Sequence, residues 1–245
     1  MIAPTTPSAS TTPPVARPYR APASRTASTR GPVPRITRWS GEILQRPARI
    51  RDHDGTERIG YRQETPHDRV NGVLVLHSTG KQGQGEPVWN RAHPGRQVRL
   101  MLDLACRVCG KPADSTDQGT LWQLPPPTMP SGRPRRTPEG WPENATVEHP
   151  PVCAAHALQS PLLCPALDGA LLVRVAESPL WGVAAMNLAP GTEPAHGFFS
   201  FEDPAAQRWA AATHLLRTIT GCTVLTPEEL RADLARRQAI AEATG

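Results

Sequence analysis

Two short motifs, Cys106-Arg107-Val108-Cys109-Gly110 and Cys153-Ala154-Ala155-His156, restrict this chain more than any other feature. Each places two soft ligands one short turn apart, and together they complete the four-ligand tetrahedral shell of a structural zinc site. Gly110 suits the knuckle after the first pair, where positive φ is often needed and glycine tolerates it. The second pair falls where a helix is expected to start, so Cys153 and His156 project from one first turn. Knuckle, hairpin, then ligands at a helix start is the order of a treble-clef finger. His149 and Cys164 stand as rival ligands, although Pro150-Pro151 stiffens the link from His149 to Cys153. Cys222 is isolated and reads as a small buried hydrophobe.

Between the pairs lie 43 residues, more than the roughly 15–20 of a simple ribbon. Residues 125–142 account for much of the excess: they hold seven prolines together with Arg133, Arg135 and Arg136. They read as an exposed loop inserted into a hairpin whose flanks are 120–124 and 145–148.

Charge is unevenly spread. Residues 1–51 carry nine arginines against one acid, Glu42, while the rest of the chain is near neutral at −3. Residues 1–35 are Pro/Ala/Ser/Thr/Arg-rich with few large apolar side chains, so a disordered basic arm is expected there. The composition gives no sign of a membrane span or of an apolar secretion signal. Five cysteines, two of them in CxxC spacing, fit metal binding in the cytoplasm better than an extracellular disulfide framework.

The fold expected is α+β: a zinc-stabilised domain over residues 36–190, then a helical segment over 191–245. Trp39, Ile43 and Leu44 read as core contributors, 58–61 and 72–76 as strands, and 95–105 and 154–163 as helices. Residues 170–175 and 181–188 read as a hairpin around Ser178-Pro179. Asp203-Pro204 opens a helix reaching Thr220, with Trp209, Ala212, Leu215, Leu216 and Ile219 at helical spacing. Thr226-Pro227-Glu228-Glu229 is a capping box that starts a last helix with a thin apolar stripe of Leu230, Leu234 and Ile240.

The run from Cys106 to Asp114, with His149-Pro150-Pro151-Val152-Cys153 and Cys164-Pro165, resembles a group of uncharacterised proteins common in actinobacteria. Glu64 to Arg69 and Trp181-Gly182-Val183 share the likeness, which spans roughly residues 36–190. The second pair there is Cys-x2-Cys, so His156 is a substitution in this chain. The resemblance implies the metal site and carries no activity with it.

Gly80-Lys81 follows an apolar run, but a Walker loop requires glycine where Val75 stands, and Pro87 opposes a helix directly after the turn. No nucleophile elbow, nucleotide fingerprint or paired-carboxylate arrangement is present. The expected function is therefore a non-enzymatic zinc-binding protein. It would contact nucleic acid through the arginine arm, or a protein partner through the last helix. The alternative is an HNH-like nuclease, for which His149 is the only candidate base.

Overall fold

The computed structural model describes residues 32–126 and 137–244. In chain order, β1 (Thr37–Trp39), β2 (Ile43–Leu44), β3 (Ala48–Arg51), β4 (Glu57–Gly60), β5 (Arg69–Val70), β6 (Val73–Val75), β7 (Ser78–Thr79) and β8 (Pro87–Ala92) precede helix α1 (Pro94–Leu102). Then come β9 (Ser115–Thr116), β10 (Gly119–Leu124), β11 (Thr146–Val147), α2 (Ala154–Leu163), β12 (Leu171–Glu177), β13 (Leu180–Asn187) and β14 (Ala195–Ser200). The chain continues through α3 (Pro204–Trp209), β15 (Ala210–Thr218), β16 (Thr220–Leu225) and α4 (Pro227–Thr244). The architecture is mixed α+β. One sheet runs β16-β12-β10-β9; a larger one runs β14-β13-β15-β6-β5, with β11 also on β15. Three two-stranded ladders, β1–β8, β2–β7 and β3–β4, complete the set among the described residues.

A bent two-stranded ribbon joins the two sheets. In the smaller sheet Leu172 pairs with Leu225 and Glu177 with Thr220. In the larger sheet Leu180 pairs with Arg217 and Asn187 with Ala210. The register therefore carries across Ser178-Pro179 on one strand and Ile219 on the other. Pro179 has no N–H to offer the ladder and a fixed φ, so the ribbon bends there without reversing. Thr218 N–H donates to the Pro179 carbonyl at 3.0 Å, and the Arg217 guanidinium to that of Ser178. The hairpin expected around Ser178-Pro179 is thus a continuous strand.

The expected helix over 203–220 is also corrected. Asp203 caps α3 through Ala205 N–H, but α3 ends at Trp209 and the chain continues as β15. Ala210, Ala211, Ala212, Leu215 and Leu216 are all buried because β15 lies between β13 and β6, covered on both faces. A strand buried on both faces loses its alternation and imitates helical spacing. Residues 191–245 are accordingly no helical appendage; they supply β14, β15 and β16, and β15 is an interior strand of the larger sheet. The flanks of the proline-rich loop do not pair with one another either: β10 pairs with β9 and β12, and β11 with β15. Ile43, expected in the core, is 67% exposed on the two-residue strand β2.

Strands β10 and β12 separate two of three cores, the third being Ile59, Leu74 and Ala211 with Trp209 and Tyr61. Trp122, Leu124, Val173 and Val175 face the main core with Val73, Met101, Val183, Leu215 and Ile219. Leu121 and Leu172, on the opposite face, join Cys106, Val152, Ala154, Ala157 and Leu230. The alternation of side chains along a strand makes this division possible. Residues 1–31, most of the expected basic arm, and Arg133, Arg135 and Arg136 fall outside the described residues. Arg35, the last residue of the expected arm, donates its N–H to the Val108 carbonyl at 2.8 Å.

Candidate metal centre

The first ligand pair forms a tight knuckle just beyond α1. Cys106 N–H donates to the Lys111 carbonyl at 2.7 Å, and Gly110 N–H returns to the Cys106 carbonyl at 2.8 Å. Gly110 has φ +76°, and a Cβ there would lie 2.3 Å from Cδ of Arg35. The positive φ favours glycine, and any Cβ would also have to displace the Arg35 side chain. The second pair opens α2: Cys153 is the N-cap, in extended conformation, and His156 lies in the first turn. Three backbone hydrogen bonds dock the two segments. Arg107 N–H donates to Pro151, Asp114 N–H to Val152, and Val152 N–H to Leu121, all at 3.0–3.1 Å.

The ligand atoms of Cys106, Cys109, Cys153 and His156 lie within 4.8 Å of one another. His156 Nδ1 is 3.0 Å from Cys153 Sγ and 3.7 Å from Cys106 Sγ. Metal bonds of about 2.3 Å to sulfur and 2.0–2.1 Å to nitrogen would set tetrahedral ligand atoms roughly 3.5–3.8 Å apart. The cluster can therefore close on one ion with small side-chain movement.

Electrostatics agree with this chemistry. Burial opposes ionisation of Cys106, yet hydrogen bonds from the Cys153, Cys109 and Val108 backbones hold its pKa below the ordinary thiol value. Cys153 is pushed up to about 11, first by burial and then by the neighbouring Cys106 and Cys109, although the His156 N–H works the other way. Crowded thiols resist a second ionisation, and a bound divalent cation removes that resistance. The donor set thus fits a metal ion, and Cys106, Cys109, Cys153 and His156 would hold it. Among the described residues no second His/Cys/Asp/Glu group of this kind occurs.

The rival ligands fall elsewhere. His149 is outside the cluster, and burial, with Arg107 and His214 nearby, lowers its pKa to about 3. Cys164 is the C-cap of α2, also outside the cluster. Cys222 packs against the main core, as expected of a packing residue, and burial followed by Glu143 raises its thiol to about 12.

Sequence reasoning missed the supports around the ligands. Arg107, between the two knuckle cysteines, is only 8% exposed and donates to the Gln123 carbonyl and to its Oε1, both at 3.1 Å. Gln123 Nε2 in turn donates to the Ala157 carbonyl on α2. Arg174 is buried and pairs with Asp114 at 2.5 Å and Asp233 at 3.3 Å, while Arg237 reaches the same two acids. That network fastens α4 beside the knuckle, with Leu230 and Leu234 packed on the metal-side core. Charged residues in a spacer read as surface, and nothing in the spacing marks them as buried.

Among the described residues no helix is long and apolar enough to cross a membrane. No protein family, curated protein or solved structure matches this chain.

Proposed function

We propose that this protein is a non-enzymatic binding protein stabilised by structural zinc in a treble-clef-like site. The observation that carries the reading is the convergence of four soft ligand atoms from segments 43 residues apart in sequence. Three thiolates and an imidazole suit zinc, and a shell closed by four protein ligands is the structural rather than the catalytic type. The order of knuckle, β9–β10 hairpin and α2 supports the treble-clef assignment. Kinship with the actinobacterial CxxCG group belongs to the same proposal.

The partner is nucleic acid, contacted through the arginine arm. Arg35 and Ile36 donate to the Val108 and Arg107 carbonyls, so the arm joins the fold at the knuckle. Of the apolar stripe of α4, Leu230 is buried and Leu234 packed beside it, while Ile240 is 63% exposed. That weighs against α4 as a docking face for a protein. A nuclease reading gains nothing from His149, because a general base works best with a pKa near the operating pH and this one lies near 3.

Metal analysis of purified protein tests the first part: one zinc per chain is expected, and chelation should unfold the metal-side core. Fluorescence anisotropy with labelled duplex DNA tests the second. Affinity should fall steeply between about 50 and 200 mM salt, and should be lost on deleting residues 1–31. Protein without zinc overturns the metal assignment; DNA binding that ignores both salt and the arm overturns the partner.

A further inference from the structure

We propose that Arg107 is the fixed counter-charge of the metal centre, its buried guanidinium balancing the thiolate-rich shell. The inference rests on the zinc reading above. Three thiolates, a neutral imidazole and a divalent ion carry one net negative charge between them. Arg107 lies between Cys106 and Cys109 in sequence, is 8% exposed, and its hydrogen-bond acceptors are the neutral carbonyl and amide oxygens of Gln123. Among the described residues no carboxylate forms an ion pair with it. A buried cation without a counter-ion is strongly unfavourable. A metal-bound, anionic shell supplies the missing charge.

The placement is built rather than incidental. Arg107 N–H is tied to Pro151, and its carbonyl accepts from Ile36. Gln123, 1% exposed, fixes the guanidinium while reaching across to the Ala157 carbonyl on α2. The Arg107 backbone thus ties the knuckle to the segment before Cys153, and its guanidinium is linked through Gln123 to α2, which carries His156. Arg107 is a positioning residue, acting on the metal through the sulfurs.

The test is zinc affinity of the full chain, measured by competition with a chromophoric chelator. Arg107→Met should weaken zinc about 10–100-fold, the range typical of residues that support metal ligands, and Arg107→Lys should weaken it less. A packing defect alone would also weaken binding, so charge is isolated with His156→Cys, which adds a fourth thiolate and a second net negative charge. The affinity lost through His156→Cys should be at least about tenfold greater in the Arg107→Met background than with Arg107 present. Independent effects, multiplying to within about threefold, overturn the inference, as does unchanged affinity in Arg107→Met. A wild-type chain that takes no zinc overturns the metal reading as well; tight zinc binding indifferent to Arg107 overturns this inference alone.

Discussion

Leu230→Ala offers the sharpest test of how the last helix relates to the metal centre. Leu230 lies one turn into α4, directly after the box in which Thr226 N–H meets Glu229 Oε2 at 2.7 Å and Glu229 N–H meets Thr226 Oγ1 at 3.1 Å. It is 0% exposed and packs with Cys106, Leu121, Val152, Ala154, Ala157 and Leu172. Truncating a buried leucine costs about 2–5 kcal/mol, the upper end applying where the surroundings cannot close over the void. Here Leu121 and Leu172 are held by paired strands, and Val152 by hydrogen bonds in both directions. Little collapse is available, so about 3–5 kcal/mol is expected. Urea unfolding of the zinc-loaded protein would measure the loss. Native-state hydrogen exchange would locate it: protection should fall at Cys106–Gly110 and along α2, and much less at β6 or β13 across the dividing sheet. Where metal binding and ordering of the ligand segments are one event, zinc affinity should fall with stability. A loss below about 1 kcal/mol, or equal loss of protection on both sides of that sheet, would refute the argument that α4 is a structural wall of the metal site.

Two further substitutions probe single features. Gly110→Ala forces a side chain into positive φ and against Arg35, so a loss of roughly 1–3 kcal/mol is expected in thermal or urea unfolding. Adding Arg35→Ala should recover the part due to the clash and leave the part due to the backbone. Glu148→Gln concerns a carboxylate whose Oε2 is enclosed without a partner and whose pKa burial raises from 4.5 to about 7. Because the folded pKa is the higher one, the native state holds its proton more tightly than the unfolded chain between those values. Wild-type stability from this group is therefore present below about pH 4.5 and falls as pH rises towards 7. Glu148→Gln should raise Tm at pH 8 and change it little at pH 4.5, the gain being at most about 3 kcal/mol. Equal shifts at both pH values would show that the carboxylate is not desolvated in the fold.

Local features were legible from the sequence. The ligand quartet could be read because a metal shell demands fixed residue types at fixed spacing, and the cap of α4 because Thr226 and Glu229 satisfy backbone donors within one turn. Helix α2 was equally plain, bounded by Cys153 and by Pro165 after Cys164. The course of residues 171–225 was not. Ser178-Pro179 carries the same turn signal whether the strand reverses or bends, and the choice depends on a partner, Ala210–Leu225, more than thirty residues away. The periodicity of β15 misled because sheet neighbours and cores on both faces erase the alternation that marks a strand. Arg107, Gln123 and Arg174 likewise look like ordinary polar residues, and become supports of the centre only because β10, β12 and α4 enclose them. Sequence alone determined which atoms could grip a metal, since that is short-range chemistry. Tertiary structure decided what surrounds them, since burial and pairing depend on segments that meet only after folding.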